Sequence, residues 1–139
     1  MKLVNFVINV KENLIKINKM KDKLKSVVNK LGLIEASSTL GLPIQKIIDI
    51  LDLKFKTFDD IKFIEQLNGV RGRIMFDNGY GASVIRHNFS YGGKIGLYEL
   101  AVLDKDGEPT YNTPITDDVM GYLTPEDVTE ILIQIQDLK

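Results

Sequence analysis

Tyr80, Arg86, His87, Phe89, Tyr91 and Tyr98 gather among closely spaced glycines in the middle of this chain. Aromatic faces can stack on bases, and Tyr and Arg are favoured anchors at protein contacts. Tyr80, Arg86, His87, Phe89 and Tyr91 are therefore the candidate surface for a ligand or partner. Catalysis is harder to build from this set. His87 is the single histidine, and a general base needs an orienting partner that the spacing does not supply. The chain has no cysteine, so a zinc site would have to combine His87 with carboxylates, and none stand at the usual spacing. "SYGGKIG" lacks the spacing of a phosphate loop, and no helix is expected after it. "DKDGEPTYN" opens like a calcium loop, but its twelfth position, counted from Asp104, is Ile115 and not an acid. Asp59 and Asp60 sit where acids favour a helix N-terminus. No catalytic residue, metal ligand or cofactor is assigned, and the reading leans against an enzyme.

A second candidate lies upstream. Residues 1–56 carry 11 Lys and 5 acids, net +6, while residues 57–139 carry 7 Lys or Arg and 14 acids, net −7. A basic half opposite an acidic half suggests a polyanionic partner. Every cation in the basic half is lysine. Lysine gives a point charge, and bidentate reading of base edges prefers arginine, so strong sequence specificity is not expected. The candidate nucleic-acid contacts are Lys19, Lys23, Lys25, Lys30, Gln45 and Lys46.

These residues need elements to position them. Leu3, Val7, Val10, Leu14, Ile17, Lys21, Leu24, Val28 and Leu31 alternate in steps of four and three, which predicts a long helix with a heptad seam. Leu14, Ile17, Lys21, Leu24 and Val28 are its candidate self-association positions, with Lys21 as a polar break that can set register. The β-branched start, "LVNFVINV", could instead be a strand. "LGLIEASSTLGLPIQKIIDIL" then reads as a helix-turn-helix pattern, or as two plainly packed helices. Leu33, Ala36 and Leu40 face inward on the first. Gly41 makes the turn, and Ile44, Ile47, Ile48 and Leu51 face inward on the second. Gln45, Lys46 and Asp49 would be exposed, and Asp49 would repel phosphate.

Thr57 with Asp60 resembles a capping box before Phe58, Ile61, Ile64 and Leu67, which predicts a fourth helix. Eight of the eleven glycines lie between Gly69 and Gly107, which marks a change to β structure. Asn78-Gly79 signals a hairpin, and "GLYELAVL" a further strand with Tyr98, Leu100 and Val102 on its core face. A short fourth strand is expected after the Lys105–Gly107 turn. Thr116 with Asp117 and Asp118 predicts a short helix. Thr124, Pro125 and Asp127 predict the start of a last one, with Val128, Ile131, Leu132 and Ile135 buried. The expected class is α+β: a helical region over residues 1–68, then an antiparallel sheet with a C-terminal helix over 69–139. No apolar run reaches the ~20 residues of a membrane helix.

The stretch from Phe76 to Leu132, with "NGYGASV", "LYELAVL" and "TPITDDV", resembles a group of small uncharacterised proteins of tailed phages. The resemblance implies a phage or prophage origin and expression in the cytoplasm of a bacterial host. It carries no activity and no site residues. The leading expectation is a non-enzymatic, homo-oligomeric phage accessory protein that binds nucleic acid through its basic helical half, with no membrane partner. The alternatives are an inhibitor that binds a host or anti-phage defence protein, and a virion or assembly component.

Overall fold

The structure, a computed structural model, describes residues 2–139, and the chain divides into two compact units, Met1–Leu53 and Lys54–Lys139. The division falls at Leu53 rather than near Gly69, because residues 58–68 belong to the sheet unit. The fold is α+β.

In the first unit the heptad pattern produces one uninterrupted helix, α1 (Lys2–Leu31); the β-branched start is helical. Gly32 (φ 82°) breaks it, and α2 (Leu33–Leu40) and α3 (Ile44–Leu51) follow. Gly41 takes the left-handed conformation (φ 64°) that a side chain disfavours, and this lets the chain reverse between them. The Ser37 hydroxyl donates to the Leu42 carbonyl at 2.6 Å and ties the turn down. Leu33, Ala36, Ile44, Ile47 and Ile48 are buried. Leu40, expected inside, is exposed. The hairpin covers α1 only at Leu24, Val27, Val28 and Leu31, and every residue from Lys2 to Lys23 is exposed.

In the second unit β1 (Phe63–Gln66), β2 (Gly69–Met75), β3 (Gly81–Arg86), β4 (Tyr98–Leu103) and β5 (Met120–Leu123) pair antiparallel in sequence order. Two expected helices are replaced by strands. Thr57 and Asp60 do form a capping box, but it serves a single 3-10 turn, Phe58–Asp60. After it, β1 pairs with β2 through a two-residue turn at Leu67 (φ 52°) and Asn68 (φ 59°), the positive-φ pair of a type I′ hairpin. The helix expected near Thr116 is a local turn, in which the Thr116 hydroxyl oxygen accepts from the Asp118 amide at 3.2 Å. The residues beyond it become β5 on the free edge of β4. The strand expected after Gly107 amounts to one bridge, Leu103 to Pro109.

The last helix, α4 (Pro125–Gln136), starts where its capping box requires, with the Asp127 amide donating to the Thr124 hydroxyl at 3.1 Å. Val128, Ile131, Leu132 and Ile135 pack against Ala82, Val84, Leu100 and Val102. Each such fully buried side chain contributes roughly 1.5–3 kcal/mol of transfer free energy. Gln136 exchanges hydrogen bonds with the backbone of Lys56 (2.9 and 2.8 Å), so the segment before the 3-10 turn is fixed to α4. No helix among the described residues is long and apolar enough to cross a membrane.

Candidate functional site

α1 carries the first candidate surface. At about 100° per residue, Lys19, Lys23 and Lys30 fall on one narrow stripe with Lys16, and all four are exposed. This row lies roughly opposite Leu14, Ile17, Lys21, Leu24 and Val28. Lys25, grouped with the row on sequence, points toward the seam side instead. The seam itself is split. Leu14, Ile17 and Lys21 are exposed, whereas Leu24 and Val28 are half-buried by the unit's own hairpin.

The helix-turn-helix reading fares less well at its exposed residues. The Gln45 side-chain amide donates to the Asp49 carboxylate at 2.9 Å. An amide held by its own helix, beside a carboxylate, is poorly set to read an adenine edge or to approach phosphate. Lys46 is exposed on α3 and offers a simple point charge there.

The hairpin and α1 also enclose an apolar corner of about 680 Å³, bordered by Ile17, Met20, Leu24 and Val27 on α1 and by Leu40, Leu42 and Ile50 opposite, with Lys21, Lys23 and Asp49 at its rim.

The sheet unit carries the second surface, and the structure sorts its residues. Tyr80 is half-buried and packs on the core at the β2–β3 turn, away from the rest. Tyr98 is buried in a three-ring cluster with Phe58 (5.1 Å) and Phe63 (5.7 Å). Arg86 joins that cluster: its guanidinium lies 5.0 Å over the Tyr98 ring and donates to the Tyr98 hydroxyl at 3.0 Å. It therefore closes the aromatic core and is only half exposed. His87 is half-buried, and its Nδ1 accepts from the Phe89 amide at 3.1 Å. The imidazole shapes the loop that follows β3.

That loop leaves Phe89 (83% exposed) and Tyr91 (60%) in solvent. They are joined by two residues absent from the sequence-based set, Ile95 and Tyr122. Tyr91, Lys94, Ile95 and Tyr122 border a shallow cavity of about 190 Å³. Its geometry is specified by hydrogen bonds. The Tyr91 amide donates to the Glu99 carboxylate at 2.7 Å, and the Tyr122 amide donates to the Tyr91 carbonyl at 3.1 Å. Ser90, which is buried, accepts from the His87 amide and donates to the His87 carbonyl, both at 2.9 Å. Gly121 lets the loop approach, since a Cβ there would stand 2.4 Å from the Cβ of Tyr91.

No protein-family model, curated protein or solved structure matches this chain.

Function must therefore be argued from the two surfaces themselves. Tyr122 could not be linked to Tyr91 from spacing, because the pairing of β5 with β4 is what brings them together. Lys16 was legible, at seven residues before Lys23 and fourteen before Lys30, once the lysines are sorted by helical face. The Tyr91→Ala variant is expected to melt within about 0.5 kcal/mol of the original protein, as for exposed positions generally. All of its loop hydrogen bonds are made by backbone atoms that alanine retains. Thermal denaturation followed by circular dichroism checks this. A loss approaching the ~3 kcal/mol of a buried aromatic would remove Tyr91 from any surface role.

Proposed function

We propose that this chain is a non-enzymatic, self-associating accessory protein that binds nucleic acid through α1 by charge rather than by sequence, in the bacterial cytoplasm and in the service of a phage. One observation carries the reading: α1 has two opposed exposed faces, one apolar and one a row of lysines. Bulky apolar side chains along a helix held in water have an unfavourable hydration cost that association relieves. A row of lysines spaced along about 21 Å of helix, from Lys16 to Lys30, can follow a phosphate backbone without reading bases. Because the faces are opposed, association leaves Lys16, Lys19 and Lys30 clear, with Lys23 at the edge of the apolar corner.

Two measurements test the two halves of the proposal. Light scattering is expected to give a multiple of the 15.7 kDa chain mass. The Leu14→Asp, Ile17→Asp double variant is expected to return it to the single-chain value, because both side chains are exposed in the isolated unit and tolerate charge there. Fluorescence anisotropy with a labelled duplex is expected to show binding that the Lys16, Lys19, Lys23 and Lys30→Glu variant loses. Equal binding by the two proteins would overturn the nucleic-acid half.

A second reading is favoured by the sheet unit. Tyr91 and Ile95 of the loop after β3 and Tyr122 of β5 border one exposed cavity, with Phe89 exposed on the same loop, and hydrogen bonds hold the arrangement. Rigid aromatics of this kind are what protein-binding hot spots use. An inhibitor of a host or defence protein, or a virion component, would dock there.

A further inference from the structure

Resting on the self-association proposed above, we infer that the apolar corner between α1 and the α2–α3 hairpin receives the N-terminal tip of α1 from a second copy running antiparallel.

The tip needs a site. Leu3 is 74% exposed and Phe6 64%, and Val4 and Val7 beside them are also in solvent. The corner needs a filler of the same kind: Ile17, Met20, Leu24 and Val27 form its floor and Leu40 and Ile50 part of its wall, nearly all of them apolar. A chain cannot fill its own corner. α1 is continuous from Lys2 to Leu31, so Phe6 is held about 27 Å along the axis from Leu24 in the corner floor. The occupant must come from another molecule.

The row that faces the corner also selects the partner. Leu3, Phe6, Val10, Asn13, Ile17, Met20, Leu24, Val27 and Leu31 repeat in steps of three and four, so the tip and the corner floor share one helix face. Two copies set antiparallel along this face place each tip at the other's corner in one symmetric contact, and both needs are met at once. A parallel, in-register pair would set tip against tip and Lys21 beside Lys21, and would leave both corners empty. At helical spacing Lys2 shares the face of the tip, and the rim of the corner it would approach carries Asp49 as its opposite charge beside Lys21 and Lys23, so the apolar match rather than charge selects the antiparallel pairing.

The absence of native cysteine makes the test direct. The Phe6→Cys and Leu24→Cys variants are purified separately, then oxidised alone and as an equal mixture, and the linked peptides are mapped by mass spectrometry. A link between positions 6 and 24 that forms in the mixture, with neither variant linking efficiently to itself, is the expected result. Efficient self-linking of Phe6→Cys, in a protein that light scattering shows to be oligomeric, overturns the antiparallel pairing and leaves self-association standing. A single-chain mass for the original protein at all concentrations overturns both. A variant that fails to fold is recognised by circular dichroism, and Leu3→Cys with Val27→Cys then repeats the same comparison.

Discussion

Raising the salt concentration from 50 to 200 mM is expected to weaken binding of the protein to duplex DNA about a hundredfold. The figure follows from counterion release, in which log K falls with log salt by about 0.9 for each phosphate neutralised. The four lysines of the α1 row, Lys16, Lys19, Lys23 and Lys30, give a slope of about −3.6 if each meets one phosphate. Duplexes of unrelated sequence should bind within a few-fold of one another, since lysine supplies point charge and Gln45 is held by Asp49. Anisotropy titrations at four salt concentrations measure both quantities. A slope near zero, or strong discrimination between duplexes, would contradict phosphate binding by this row.

The second large effect belongs to the sheet unit. The Leu100→Ala variant should lose about 3 kcal/mol of stability, within the range for deleting a buried leucine. Leu100 is wholly buried, at the centre of β4, beneath α4 and among Val84, Val102 and Leu132. For a unit of this size such a loss corresponds to a fall of roughly 10–20 °C in melting temperature. Thermal denaturation of this variant beside Tyr91→Ala separates core from surface. A shift of only a few degrees for Leu100→Ala would mean that the β4–α4 packing is not the centre of the core.

How much of this was legible in the chain depends on how local each signal is. α1, α4 and the Asn78-Gly79 hairpin were readable, because a heptad, a Thr-Pro-x-Asp cap and a turn dipeptide each act within a few residues. The core face of β4 was readable from alternation alone. β1 was not. Phe58, Ile61, Ile64 and Leu67 happen to fall at helical spacing, and the capping box at Thr57 is real but serves only one turn. What decides the matter is pairing with β2, where Gly72 leaves room for Ile61: a Cβ on it would stand 2.2 Å from that side chain. β5 was missed for a similar reason, since its partner Tyr98 lies more than twenty residues upstream. The candidate surface followed the same division. Phe89 and Tyr91 were identified from a Gly-rich loop and Tyr98 from alternation as a core residue, while Arg86 is drawn against the Tyr98 ring by a contact that no spacing encodes. Ile95 and Tyr122 became visible only once the loop and β5 were side by side.

The order of the strands bears on how the sheet unit reaches its structure. Each strand pairs with its neighbour in sequence, so most of the contacts that define the sheet close short loops, and chains of low contact order fold quickly. The exception is the connection across residues 104–119, the longest in the sheet, which must be ordered before β5 can join β4. Asn78 adds a late fastening, since its side-chain amide donates to the carbonyls of Ile135 (2.8 Å) and Leu138 (3.0 Å) at the end of α4. In stopped-flow refolding the β1–β4 pairings are therefore expected to form ahead of the pairing of β5 with β4. Because Tyr122 lies on β5, the aromatic patch is complete only when β5 is paired with β4.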